Sequence, residues 1–138
     1  MNRFKKRRRI YGVLNRYSAH VHWLPRLSFA SIFIYHGIGK FPMAPMMAEG
    51  MGMPVFMVYL LGTMEIVAGI FILAGAFGRE ILTRLAGLII AAVMLGAIFM
   101  VHVKNGWNGV TMEQGAELQV FVFAVAIYFL VKGNNSSA

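Results

Sequence analysis

The chain has 138 residues, of which 59% are hydrophobic, with 13 Lys and Arg against 5 Asp and Glu and a formal charge of +8. That balance excludes a water-soluble core and a separable soluble domain, and predicts one small membrane domain. With no Cys, disulfides, thiol redox chemistry and thiolate metal sites are excluded as well, so any electron chemistry has to come from a bound molecule or a partner.

Residues 1–23 form a basic cytoplasmic or interfacial segment. Arg3, Lys5, Lys6, Arg7, Arg8 and Arg9 make a cationic block. A nucleic-acid arm is the competing reading, but directly before a spanning helix such a block is more simply a topology anchor on anionic lipid heads. No nucleic-acid partner is expected. Ile10 to Trp23 mixes apolar, aromatic and basic residues; Tyr11, Tyr17, His20, His22 and Trp23 suit a short interfacial helix with its rings at headgroup level. The basic region is too long for a signal peptide and no small-residue cleavage pattern follows the apolar stretch, so the segment is expected to be retained.

Residues 24–133 read as an all-α, integral membrane four-helix bundle. The first span, Leu24 to Phe41, places His36 and Lys40 four residues apart on one face; Lys40 either lines a polar interior or snorkels to the surface. The stretch Pro42 to Gly52, rich in Pro, Gly and Met, is predicted to end the helix as a loop dipping at the interface, and Pro54 suits the first turn of the second span. That span runs to Phe77 and carries Glu65 near its middle, close to the bilayer midplane. A carboxylate at that depth costs several kcal/mol unless it is protonated, paired or facing a wet cavity, which makes it a functional-site candidate. Gly62, Glu65, Gly69 and Ala76 share one stripe, so the acid is expected to face other helices.

A third span is expected over Ile81 to Val103, with Arg84 in its first turn and His102 in its last. Gly87 with Ala91, and Ala92 with Gly96, would allow close helix approach. Asn105 to Gly109 has turn chemistry around an interfacial Trp107. A fourth span, Glu113 to Val131, is expected to bring Glu117 inward on a stripe with Phe121, Ala124 and Tyr128, leaving 134–138 as a frayed polar tail. The eleven Met and eleven Phe are assigned to packing, and no metal site is assigned.

Four spans put both termini on one side. Residues 1–26, which include Arg26, together with Arg79, Arg84 and Lys132 hold eleven of the thirteen basic residues, and Lys40 and Lys104 the other two, so both termini are expected in the cytoplasm. His36, Lys40, His102, Glu113 and Glu117 then fall at the outer helix ends above Glu65, which predicts an outward-facing polar pocket.

The ordered set His36-Gly37-Ile38-Gly39-Lys40, Glu65-Ile66-Val67-Ala68-Gly69, Thr83-Arg84-Leu85-Ala86 with Ala97-Ile98-Phe99, and Gly115-Ala116-Glu117-Leu118 resembles the DoxX family of small bacterial four-helix membrane proteins, over about residues 24 to 133. The resemblance implies a multi-pass bundle in the cytoplasmic (inner) membrane and a link to membrane oxidoreductases such as thiosulfate:quinone oxidoreductase, whose small subunit is a relative; another relative works with superoxide-detoxifying and sulfurtransferase partners. This chain departs from the pattern in the extra residues Gly78 to Leu82, in the ending Gly133-Asn134-Asn135, which lacks the usual Gly-rich, Asp-terminated finish, and in the basic N-terminal block.

Two functions follow as expectations. In one, the pocket binds a quinone: His36, Lys40 and His102 are the ligand-binding candidates, and Glu65 and Glu117 the proton-handling, catalytic ones. The chain would then be a quinone-linked oxidoreductase subunit with no cofactor of its own. In the other, it is a noncatalytic accessory subunit whose polar network fixes helix register while Phe and Met surfaces pack on a larger membrane complex.

Overall fold

The computed structural model describes residues 12, 16–18, 20–103, 106–107 and 115–134. The basic block Arg3 to Arg9, Tyr11, Lys104, the Asn105 and Asn108 turn positions, Glu113 and the His102 side chain lie outside the described residues. Those described within Ile10 to Trp23 have helical backbone apart from a turn at His22.

Among the described residues the fold is all-helical: α1 (Trp23–Met51), α2 (Val55–Gly75), α3 (Glu80–Ala97), a π-helical turn (Ile98–His102) and α4 (Glu117–Lys132). Each helix packs on the next in sequence. Contacts between α1 and α2 run in opposite senses, Gly37 meeting Gly62 and Ala30 meeting Gly69, so the pair is antiparallel. α3 and α4 are likewise antiparallel, Arg84 meeting Val131 and Gly87 meeting Ala126. Among the described residues, two helices are long and apolar enough to cross a membrane, Val55–Gly75 and Glu80–Val101.

The core is built where the small residues let backbones meet. A buried cluster of Phe29, Ala30, Phe33, Ala68, Ile72, Ala86, Ile90, Ala126 and Phe129 draws on all four helices, and Phe29 bridges to Phe129 edge to face at 5.7 Å. The stripe expected on α2 faces inward: Gly62, Glu65 and Gly69 are buried and Ala76 half-buried. Gly87 and Ala91 are buried too, and a Cβ at Gly87 would lie 2.6 Å from the Leu130 nitrogen. Ala92 is exposed and Gly96 has open space around it, so this second small pair makes no close approach: it lies off the face of α3 that meets α2 and α4.

Two helix boundaries differ from expectation. Pro42 and Pro45 sit inside α1, which continues to Met51 and is about 43 Å long at the usual rise. Each Pro removes one backbone donor, and packing compensates: Ala44 and Ala48 are buried against Val58 of α2. The helix ends instead at Gly52, whose φ of 64° is open to glycine without strain. α4 begins at Glu117 rather than Glu113, and its buried face is Val122, Ala126 and Phe129. The stripe of Glu117, Phe121, Ala124 and Tyr128 is exposed; a choice between two apolar faces of one helix is not decided by periodicity when Val, Ala and Phe occur on both.

Candidate functional site

Gly37 and Gly62 prepare the main candidate site. A Cβ added to Gly37 would stand 2.7 Å from the Gly62 carbonyl oxygen, and one added to Gly62 would stand 2.9 Å from that of Gly37. Only glycine at both positions lets α1 and α2 touch backbone to backbone. Three residues further along each helix stand Lys40 and Glu65, and across this close crossing the Lys40 ammonium donates to Glu65 Oε2 at 2.6 Å, with the two side chains only 13% and 5% exposed. Each charge is largely desolvated, and each offsets part of the cost of burying the other. Replacing Gly37 with Val should force the helices apart, lower the thermal unfolding midpoint at a cost of about 1–3 kcal/mol, and lengthen the Lys40–Glu65 contact.

Among the described side chains, neither His36 nor Glu117 is hydrogen-bonded to this pair. His36, one turn before Lys40 on α1, is exposed and meets Tyr35 edge to face at 5.8 Å. Glu117 is exposed in the first turn of α4, contrary to the inward orientation read from its stripe, and no described hydrogen bond or ion pair ties it to Lys40 or Glu65. The backbone of His102 lies in the π-helical turn that ends α3.

A second polar cluster, at the opposite end of α1, escapes sequence reasoning. Arg26, counted there as one more basic residue of the N-terminal end, is 2% exposed. Its Nη1 donates to the Ile72 carbonyl at 2.7 Å and to Thr83 Oγ1 at 2.9 Å, and its Nη2 donates to Asn134 Oδ1 at 2.9 Å. The Thr83 hydroxyl donates to the same Asn134 oxygen at 2.7 Å, and Asn134 Nδ2 donates to the Gly75 carbonyl at 2.8 Å. The guanidinium also lies 5.2 Å from the centre of the Phe129 ring. All four helices therefore meet on one cation whose described partners are neutral, and Arg26 Nε has no described acceptor. Asn134, expected in a frayed tail, is a structural residue here. Next to it, Arg84 binds the Glu80 carboxylate and donates through Nη1 to the carbonyls of Leu130 and Val131 at 2.8 and 2.7 Å, closing the C-terminal turn of α4. A mid-chain signal for this cluster does exist: Arg26 lies three and seven residues before the buried Phe29 and Phe33, on the face that packs inward.

Against this geometry the comparisons with known proteins fall into place. The family profile named DoxX matches residues 22–103, more than half of the chain. The chain belongs to the DoxX family. The matched segment contains Arg26, Lys40, Glu65, Thr83 and Arg84, and ends before α4. Among similar proteins is one of Bacillus subtilis named "Putative oxidoreductase CatD", 26% identical over 114 residues that cover 80% of this chain and 78% of the relative. Another is an uncharacterized protein of Haemophilus influenzae, 31% identical over 118 residues covering 82% of this chain and 83% of the relative. No solved structure matches the chain. The family is membrane-associated, and the oxidoreductase name belongs to the Bacillus subtilis relative.

Proposed function

We propose that this DoxX protein is a four-helix subunit of the bacterial inner membrane, both termini cytoplasmic, that holds a quinone head group at the Lys40–Glu65 pair for a larger redox complex. The observation that carries the reading is the 2.6 Å ion pair between two nearly buried side chains at an α1–α2 crossing otherwise lined by small and apolar residues. An ammonium has three donors and Glu65 is the one described acceptor, so Lys40 has the capacity to donate to a quinone carbonyl. Glu65, beside it, would take or give one of the two protons that accompany quinone reduction or quinol oxidation, and the Lys40 ammonium the other. The two electrons pass from a partner redox subunit in reduction and to it in oxidation, since the chain's own side chains include no thiol. His36 extends the polar face by one turn, towards the helix end from which Arg26 is reached.

The experiment is purification of the full chain in mild detergent, followed by lipid extraction and identification of co-purifying subunits. Stoichiometric quinone that is lost in Glu65→Gln and Lys40→Met supports the reading. A stoichiometric large partner without quinone supports the accessory alternative, which draws on the breadth of exposed apolar surface, including Tyr35 at 77%, Phe121 at 64% and Tyr128 at 51%. In a membrane, lipid covers part of that surface and a partner subunit has room on the rest.

The orientation is tested separately. With the basic residues of the N-terminal segment, Arg79, Arg84 and Lys132 inside, reporter fusions at Asn134 read out as cytoplasmic and fusions within Asn105 to Gly109 as external. An external C-terminus overturns the proposed orientation.

A further inference from the structure

We propose that the C-terminal end of α1 is a binding site for a soft monovalent cation of the Cu(I) class, with the thioethers of Met47, Met51 and Met53 as ligands. Six of the eleven methionines, Met43, Met46, Met47, Met51, Met53 and Met57, fall within fifteen residues. The fold then sorts them. Met43, Met46 and Met57 are exposed, while Met47, Met51 and Met53 are half-buried. Met47 and Met51 stand four residues apart, on one face of the helix.

Met53 joins them through the way the helix stops. Gly52 takes the left-handed conformation, its N–H returns to the Glu49 carbonyl at 3.2 Å, and the Met53 N–H returns to the Ala48 carbonyl at 3.0 Å. This folds the chain back over the last turn, so that Met53 packs against the same buried trio as Met47: Ala44, Ala48 and Val58. Met47 and Met53 thus share one buried trio, and Met51 stands one turn beyond Met47 at the same helix cap.

The chemistry of the donors selects the ligand. Thioethers are neutral and polarisable; they bind soft cations such as Cu(I) and Ag(I) and compete poorly for Mg, Ca or Zn, which want oxygen, imidazole or thiolate. Among the described residues no group of three or more His, Asp and Glu is placed to hold a harder cation. The electrostatics also favour a cation. The C-terminal end of a helix carries partial negative charge, and the last turn of α1 has the carboxylate of Glu49 and no basic residue. A site of this kind stands apart from the Lys40–Glu65 pair and does not depend on quinone binding.

The test uses the full-length protein in detergent with 13C-methyl-labelled methionine. Ag(I) is added first, as a redox-inert probe, and then Cu(I) under anaerobic reducing conditions. The expected result is saturation near one equivalent, with the methyl signals of Met47, Met51 and Met53 shifting and those of Met64 and Met94 unmoved. Because a thioether carries no proton to lose, affinity should be unchanged between about pH 5 and 8, where a histidine site would weaken on acidification. The triple variant Met47→Leu/Met51→Leu/Met53→Leu keeps the apolar volume and should lose at least about tenfold in affinity, while Met43→Leu/Met46→Leu binds normally. Should the triple variant fail to fold, each of the three single Leu variants is expected to weaken binding on its own. Binding that survives these substitutions, shifts confined to other methionines, or no binding at stoichiometric Ag(I), overturns the proposal.

Discussion

Glu65→Leu should cost about 3–5 kcal/mol of stability, because it leaves the Lys40 ammonium buried between α1 and α2 without its counter-charge. Lys40 is 13% exposed, too enclosed for water to replace the carboxylate. The informative comparison is the double variant Lys40→Met/Glu65→Leu. Replacing both members of a buried ion pair with apolar residues of similar size is often neutral or stabilising, so the double variant should recover most of the loss. Glu65→Gln falls between them, since its amide oxygen still accepts from Lys40 but carries no charge, at a cost of about 1–3 kcal/mol. The measurement is the thermal midpoint of detergent-purified protein for the four members of the cycle. A fully stable Glu65→Leu single variant would show that the pair is not closed in the membrane.

The same cycle separates function from architecture. A double variant that folds, assembles and has lost quinone identifies the pair as a ligand site. One that folds, assembles and retains activity of the parent complex makes the pair a device for helix register. Stability alone does not distinguish them, because a register device and a ligand site both require two desolvated charges held at the crossing of Gly37 and Gly62. What differs is the consequence of removing both charges together.

The inward orientation of Glu65 was legible in the sequence because it followed from a sharp contrast: one carboxylate and two glycines on a stripe whose alternatives were Leu, Ile and Phe. The face shared by His36 and Lys40 was legible for the same reason. Their fates were not. Whether Lys40 snorkels or turns inward depends on the partner that a second helix offers, and that partner is set by the approach of two backbones rather than by local pattern. The exposure of Glu117 shows the opposite case, in which α4 is apolar on every side and the acid alone gives too little contrast to say which side packs. Pro42 and Pro45 were misleading because their cost is local, a missing donor each, whereas the compensation from Ala44 and Ala48 against Val58 is tertiary. Arg26 was hidden by its company: at the end of a basic segment it counts as one more topology charge, and its acceptors come from residues 72, 83 and 134, none of them near it in sequence.

Asn134→Asp should raise stability, an unusual sign for a change that introduces a charge at a half-buried position. Arg26 carries a full positive charge at 2% exposure and its described partners are neutral oxygens, so the cluster has the desolvation cost of a buried ion without an opposite charge to offset it. The Asn134 oxygen already accepts from both Arg26 and Thr83. A carboxylate in its place keeps those two bonds, turns the Arg26 bond into an ion pair and makes the Thr83 bond charge-assisted, at the loss of the Nδ2 donation to the Gly75 carbonyl, from which the new oxygen has to turn away. The expected net gain is about 1–2 kcal/mol near neutral pH. Its pH dependence follows from its origin: a carboxylate stabilised by a buried cation titrates lower in the folded protein than in the unfolded one, so the gain is present above the unfolded value and lost as the pH falls through the folded one. Asn134→Ala removes all three bonds at once, leaves Thr83 and the Arg26 Nη2 without this acceptor, and should destabilise by about 3 kcal/mol. Thermal midpoints of the three proteins at neutral and acidic pH decide the matter. If Asn134→Asp proves less stable than the parent at neutral pH, the charge of Arg26 is already compensated, and the neighbouring Glu80 carboxylate, which lies against Gly133, is the group to test next.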